Sequence, residues 1–288
     1  MKQKGRAIYT KHCEHNNFIC NENPNAVQRF SNGTRVFADY KKYAFTLAEV
    51  LITLGIIGVV AAMTLPTVIN KYQEKVTVTK LKKFYSVLSQ SYLFATEQYG
   101  PPSEWGILGR DSGSQDNDEE YYNAQNAILI RDRLFANVKK VQDCNNAKNQ
   151  KSCGMGNAYY HLNGGKDSVV MGDNAKTASS LVLDGSSVLI IANAPGQSRG
   201  TGALSKTYAI IYLDTNGPKP PNVFGKDFFM FYLTNQNITP TGTEQETFWP
   251  FNSCKTRGIG CTAWVIINEN MDYLKCSDLS WHGKKKCS

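Results

Sequence analysis

One carboxylate stands inside a long apolar run near the start of the sequence. Glu49 is the only formal charge in the twenty-one residues from Phe45 to Leu65. A helix of this length can cross a hydrocarbon core of about 30 Å. A carboxylate within it costs roughly 2.5–3.5 kcal/mol on insertion scales, so Glu49 indicates a function or a positively charged partner. The simpler alternative is that its side chain extends to the nearby membrane interface.

A second group of oxygen-bearing side chains surrounds a predicted turn. Asp214 and Asn216 stand two apart before Gly217, and Asp227 follows ten residues later. Carboxylate and amide oxygens at such spacing are typical calcium ligands. The alternative is a β-turn capped by the Asp and Asn side chains. The sequence leaves both interpretations open.

The sequence contains eight cysteines, of which six follow the apolar run. An even number suits disulfides formed in an oxidising compartment. Six cysteines allow fifteen pairings, and proximity along the chain favours the nearest neighbours. Those pairs are Cys144 with Cys153, Cys254 with Cys261, and Cys276 with Cys287.

Catalytic signatures are not found in the sequence. After residue 45 the only histidines are His161 and His282, and neither stands beside a Ser or Cys nucleophile motif. No metalloprotease, phosphate-loop or dinucleotide-binding pattern occurs. We therefore expect that the protein is not an enzyme.

The basic charge is concentrated at the start of the chain. Residues 1–44 hold eight of the 32 Lys and Arg but only three of the 24 Asp and Glu, and the remainder is nearly balanced. The net charge of +8 is thus weak evidence for a nucleic-acid-binding surface.

The apolar run is predicted to begin one long helix over residues 45–100. Residues 45–69 form its transmembrane part. Pro66, which lacks a backbone donor, should kink or locally unwind it. Residues 70–100 are amphipathic, and Gly100-Pro101 ends the helix. The apolar positions of the second half are Ile69, Tyr72, Val76, Leu81, Phe84, Tyr85, Leu88, Tyr92, Ala95 and Tyr99.

The rest of the sequence predicts a connector followed by a β-sheet. Together with the long helix, this sheet indicates an α+β fold. Residues 101–167 contain a second helix from Tyr121 to Val141 and a cysteine loop. Residues 168–288 form an antiparallel head with a Cys-rich end. Asp184-Gly185 predicts a hairpin, and Pro195–Gly202 predicts a flexible loop. Strands are predicted over Thr207–Leu213, Asp227–Leu233 and Thr262–Ile267.

The start of the apolar run resembles the processing motif of type IV pilins and type II secretion pseudopilins. The resemblance rests on Ala44, Phe45, Thr46, Leu47 and Glu49, and on Pro66 downstream. It implies that a prepilin peptidase cuts between Ala44 and Phe45, that Phe45 is N-methylated, and that residues 1–44 are a cytoplasmic leader removed on processing. Ala44 departs from the usual Gly before the cut.

The resemblance also implies a fold, a location and partners. A long helix would pack on a C-terminal antiparallel sheet with disulfide-closed loops. Glu49 would pair with the new amino terminus of a neighbouring subunit. By the positive-inside rule, Lys41 and Lys42 indicate that the residues before the apolar run lie in the cytoplasm. The head would then lie beyond the inner membrane. Partners would be other pilin subunits, the peptidase and an inner-membrane assembly platform.

Several roles remain open within this interpretation. The bulky head favours a minor pilin or a pseudopilin over a major pilin. A tip adhesin or a DNA-binding subunit of a DNA-uptake pilus is an alternative, although nucleic acid is the less favoured partner. A membrane-anchored domain that never assembles is a third.

Overall fold

The computed structural model describes residues 46–107, 117–145, 152–167 and 177–287. The chain divides into two compact units, Met1–Val60 and Ala61–Ser288. Ala44 and Phe45 lie outside the described residues. In the first unit, the described residues form the beginning of the long helix. The second unit contains the rest of this helix and the head.

The long helix, α1, spans Leu47–Tyr99 and runs through Pro66 without interruption. The local unwinding expected at Pro66 is therefore not seen. The buried face of α1 begins only at Val78 and continues through Leu81, Phe84, Leu88, Ser91, Tyr92 and Ala95. Ile69 and Tyr72, which the pattern assigned to this face, are 44% and 68% exposed. The buried apolar face of α1 therefore begins about two turns later than the sequence predicts.

A six-stranded antiparallel sheet forms the head, and its strands follow one another in chain order. Each neighbouring pair is joined by backbone hydrogen bonds, with Ile190 opposite Ile211 and Ile211 opposite Phe231. The strands are β1 (Lys140–Cys144), β2 (Thr177–Val182), β3 (Ser187–Gln197), β4 (Thr207–Asp214), β5 (Phe228–Thr234) and β6 (Ile238–Pro240).

Three further helices pack around this sheet. They are α2 (Asn117–Leu134), α3 (Phe251–Arg257) and α4 (Thr262–Asn268). Short 3₁₀ turns occur at Pro102–Glu104, Gly202–Ser205 and Asp272–Leu274. Helix α2 packs against β2 and β3.

Both faces of the sheet are covered, so β4 and β5 are buried along their whole length. On one face, Leu81 and Leu88 of α1 join a core with Ile211 and Phe231. On the other face, Ile210 and Tyr212 join Tyr232, Phe228, Tyr159 and Met155. Successive residues of a strand point to opposite faces. The continuous apolar runs of β4 and β5 follow from this double coverage.

Further predictions of local structure, which concern one strand, the end of one helix and the start of the sheet, are wrong. Thr262–Ile267 is helical, because Trp264 and Val265 turn together into the core beside Phe251, with which Trp264 stacks at 4.2 Å between ring centroids. The predicted helix over Tyr121–Val141 ends at Leu134. Beyond it, β1 pairs with β2, so the sheet begins before residue 168.

The strand β3 extends into the segment that was predicted to be a loop. It continues to Gln197, and its register with β4 shifts between Ala192 and Gln197. Such an irregularity allows a strand to pass through a Pro-Gly pair while the flanking residues remain paired.

Three disulfides close the head. They join Cys144 to Cys153, Cys254 to Cys261, and Cys276 to Cys287. These are the nearest-neighbour pairs along the chain. Cys254 and Cys261 are fully buried and link the segments that carry α3 and α4. Cross-links of this kind stabilise a fold by about 2–4 kcal/mol each.

Candidate functional site

The first turn of α1 is closed by a reciprocal pair of side chains. The Glu49 Oε2 atom accepts hydrogen bonds from the Thr46 backbone N–H at 2.9 Å and from the Thr46 hydroxyl at 2.8 Å. The Glu49 N–H in turn donates to Thr46 Oγ1 at 3.2 Å. This is a capping box, in which a Thr at the N-cap and a Glu three residues later satisfy otherwise unpaired donors at the helix start.

The apolar half of α1 is exposed along its length in the part of the chain that the structure describes. Among the described residues, α1 is the one helix that is long and apolar enough to cross a membrane, and none of that apolar segment is buried. Large side chains such as Leu51, Ile52 and Ile57 are 60–63% exposed. So much exposed apolar surface would be unfavourable in water, so this half requires lipid or other helices.

Two buried aspartates lie where β4 ends and β5 begins. Asp214 is fully buried, and its Oδ2 accepts a 2.6 Å hydrogen bond from the Tyr159 hydroxyl. Its Oδ1 accepts from the Asn216 N–H at 3.2 Å. Asp227 accepts from two backbone N–H groups, those of Asn222 at 2.8 Å and Val223 at 2.7 Å. The two carboxylates thus tie the 214–227 loop to itself and to Tyr159.

These two carboxylates carry charge that is poorly compensated. Burial raises the pKa of Asp214 to about 7 despite the lowering effect of the Tyr159 hydrogen bond, and the nearby charge of Asp227 contributes to this rise. Burial likewise raises the pKa of Asp227. A cation placed beside them would reverse both effects, because an opposite charge favours the ionised form.

The amide oxygens near the aspartates are also incompletely bonded. The Oδ1 atoms of Asn216 and Asn222 are buried without a hydrogen-bond partner. The other end of the Asn216 amide donates to the Pro220 carbonyl at 3.3 Å. Two carboxylates and two free amide oxygens make an all-oxygen donor set, which is the set that Ca²⁺ prefers. The residues Asp214, Asn216 and Asp227 therefore fit a calcium ion in their chemistry.

A group of three or more His, Cys, Asp or Glu side chains able to hold a metal does not occur within the described ranges. The 214–227 loop does not form such a group, because only two of its four oxygen-bearing side chains are carboxylates and the other two are amides. Transition metals that require His or Cys ligands are a poor match for this loop.

His161 is part of a buried polar cluster. Its Nε2 lies 3.4 Å from Asp167 Oδ2 and 3.1 Å from an Arg257 guanidinium nitrogen, and its ring stacks on Phe224. Burial, and then the Arg257 charge, lower the pKa of His161. A neutral imidazole in this position connects the 161–167 loop to the end of α3.

Two known sequence families match the chain. A family of unknown function, DUF6613, matches residues 67–260. The chain belongs to the DUF6613 family. The prokaryotic N-terminal methylation motif matches residues 40–65 and contains Ala44, Phe45 and Glu49. This DUF6613 chain thus carries the prepilin-type motif of type IV pilins and pseudopilins, as its sequence predicts. No curated protein and no solved structure matches it.

The two matches meet at Pro66, which lies between them. The motif covers the apolar half of α1, and the DUF6613 match begins at Thr67 and continues to residue 260. The long N-terminal helix, the C-terminal antiparallel sheet and the disulfides give the α+β architecture that the sequence predicts.

The sequence predictions did not include the contacts that three residues make in these sites. Thr46 is the N-cap of α1, and the Thr-x-x-Glu spacing before an apolar run is a recognisable signal for it. Tyr159 lies in a separate loop and donates to Asp214. Asn222 has a left-handed backbone conformation, with φ of 51°, and its N–H donates to Asp227. No short sequence pattern links Tyr159 to Asp214, because they are 55 residues apart.

Proposed function

We propose that this chain is a structural subunit of a type IV pilus or a type II secretion pseudopilus, processed by a prepilin peptidase and polymerised through α1. The prepilin-type motif at the start of an uncovered apolar helix carries the proposal. Cleavage between Ala44 and Phe45 would place a positively charged amino group four residues before Glu49.

Charge pairing gives a physical reason for polymerisation. An isolated carboxylate and an isolated ammonium group are each unfavourable in lipid, and pairing relieves both. Within the described residues, the hydrogen bonds to the Glu49 carboxylate come from Thr46, which supplies neutral donors. A neighbouring subunit would supply the positive partner together with apolar side chains to cover α1.

The head favours a minor pilin or a pseudopilin. It holds six strands, four helical segments beyond α2 and three disulfides within the described residues. Such a head would lie outside the inner membrane, where disulfides persist. The prepilin peptidase, an inner-membrane assembly platform and other pilin subunits are its proposed partners.

A calcium ion held by the 214–227 loop is the second part of the proposal. The uncompensated carboxylates of Asp214 and Asp227 and the unpartnered Asn216 amide oxygen support it. The ion would stabilise the loop between β4 and β5 and would have a structural role.

Peptidase-dependent assembly tests the main proposal. The full chain is expressed with and without the prepilin peptidase of its host, and surface or periplasmic filaments are separated from membranes. We expect the chain in the filament fraction only when the peptidase is present. Equal amounts in both strains, or a chain that always stays in the membrane fraction, would instead indicate an anchored domain that does not assemble.

A further inference from the structure

A groove of about 1010 Å³ opens between α1 and the head. Its walls are the α1 residues from Asn70 to Lys80, the 215–227 loop, and the segment around Met271–Lys275. Four lysines line it: Lys80, Lys226, Lys255 and Lys275. All of these residues belong to the same compact unit.

Most of the positive charge in the groove is not neutralised by direct contact. Lys275 pairs with Glu74 at 2.6 Å. Lys80 donates to the Thr215 carbonyl at 2.8 Å, and Lys255 donates to the carbonyls of Ser277 and Leu279. A carbonyl fixes an ammonium group in place but leaves its charge uncompensated. Lys80 interacts electrostatically with Asp184, whose carboxylate accepts hydrogen bonds from Ser186. Lys255 interacts in the same way with Asp278, whose carboxylate accepts a hydrogen bond from Lys284.

Lys226 is the most available of the four cations. It is exposed and has no side-chain partner within the part of the chain that the structure describes. The neighbouring carboxylate of Asp227 accepts from two backbone N–H groups, which leave its negative charge in place. With four lysines against the carboxylates of Glu74 and Asp227, the groove lining carries a net positive charge, and the amides of Asn70 and Gln73 also line it.

The groove begins where the apolar part of α1 ends. Leu65, Val68 and Ile69 are 57%, 61% and 44% exposed, and Asn70 is the first lining residue. Tyr72, on the rim, is 68% exposed. Aromatic residues with a polar tip are enriched at the membrane–water interface. If the apolar residues before Asn70 lie in lipid, the groove opens at the level of the headgroups.

We propose that this groove binds the phosphate of an anionic phospholipid headgroup. Basic residues near a membrane surface attract anionic lipids with about 1 kcal/mol per Lys or Arg. The volume suits a headgroup with its glycerol, since small-molecule sites in proteins measure about 300–1,000 Å³. The proposal requires α1 to lie in a membrane, but it does not depend on polymerisation.

The full chain in detergent micelles allows a direct test. Phosphatidylglycerol or phosphatidylcholine is titrated in the presence of a calcium chelator, and bound lipid is counted by native mass spectrometry. The test variant is Lys226→Glu, since the exposed Lys226 side chain has no partner among the described residues whose loss would disturb the fold. Lys206→Glu is the matched control, because Lys206 is also exposed and lies outside the groove. Lys255→Gln, checked by its melting temperature, gives a second groove variant.

We expect the wild type and the Lys206→Glu variant to prefer phosphatidylglycerol, and Lys226→Glu to bind it about tenfold or more weakly. Inorganic phosphate at the same concentration should not displace the lipid. Equal binding of the two lipids, or equal binding by the Lys226 and Lys206 variants, would overturn the proposal. Displacement by inorganic phosphate at lipid concentrations would assign the groove to free phosphate instead. A chain that fails to enter filaments yet shows the expected lipid preference would refute only the assembly proposal.

Discussion

Thr46 and Glu49 form reciprocal hydrogen bonds at the start of α1. The Thr46 N–H and hydroxyl both donate to one Glu49 carboxylate oxygen, and the Glu49 N–H donates to the Thr46 hydroxyl. Glu49 therefore has a role within the single chain that a neutral side chain can also fill, since a capping box takes either Glu or Gln. The proposed role in assembly needs the charge.

Two substitutions at Glu49 separate these roles. Glu49→Gln keeps a cap acceptor and removes the charge, whereas Glu49→Leu removes both. We expect both variants to insert in the membrane and both to reach filaments at less than about a tenth of the wild-type level, because each lacks the ionic partner. Filament content is measured by quantitative immunoblotting of the sheared or periplasmic fraction.

Glu97→Gln is the matched control, because Glu97 is an exposed residue near the other end of α1. It should assemble normally. Normal assembly of Glu49→Gln combined with loss in Glu49→Leu would show that Glu49 acts through the helix cap alone.

A buried glutamate is expected to make the head less stable as the pH rises. Glu246 accepts hydrogen bonds from the Tyr232 hydroxyl and from the Gly242 and Trp249 N–H groups. Burial nevertheless raises its pKa to about 7. The folded state then binds a proton that the unfolded state releases above its ordinary pKa of about 4.5. This contribution to stability is complete at low pH and is lost as the pH rises towards and through 7.

The free energy of unfolding, measured in urea with a calcium chelator, should therefore fall between pH 5 and pH 8. Glu246→Gln should remove a pH-dependent contribution to the free energy of unfolding on the order of 2 kcal/mol. The same substitution should also lower stability at every pH, because it disturbs the hydrogen bonds of Glu246. Glu244→Gln changes a more exposed glutamate two residues away and should keep the wild-type slope. An unchanged slope in Glu246→Gln would contradict the assignment.

The sequence predicts most strongly those elements whose pattern is local. The apolar run and the helical stripe from Leu81 to Ala95 locate α1, and the β-rich runs locate β4 and β5. Thr262–Ile267 has the composition of a strand but folds as a helix, because Trp264 must reach a core built with Phe251 and Trp281. That requirement comes from residues elsewhere in the chain.

The sites also differ in how far apart their residues lie in the sequence. The capping box spans four residues and can be found from its spacing. The groove takes lysines from α1, the β4–β5 loop, α3 and the segment after α4, so only the folded head brings them together. The contact between Tyr159 and Asp214 joins a loop to the end of β4 and is equally hidden in the sequence.

Calcium should raise the melting temperature of the full chain in detergent. An ion at 100 times its Kd stabilises the folded state by about 2.7 kcal/mol. Asp227→Asn keeps the shape of the side chain but removes one charge, so its melting temperature should respond little to calcium. The measurement is tryptophan fluorescence on heating, in excess Ca²⁺ and in chelator.

Asp278→Asn serves as the control for calcium, since Asp278 is an exposed aspartate paired with Lys284. It should show the wild-type response. Equal melting temperatures of the wild-type chain with calcium and with chelator would argue that the 214–227 loop is held by its hydrogen bonds alone.

The mass of the N-terminal peptide tests the central claim most directly. The chain is purified from strains with and without the prepilin peptidase, and its terminus is determined by mass spectrometry. With the peptidase, we predict a chain that begins at Phe45 and carries one methyl group on its amino nitrogen. Without it, residues before Phe45 should remain attached. A terminus that is the same in both strains, or a cut at any other position, would contradict processing at Ala44–Phe45.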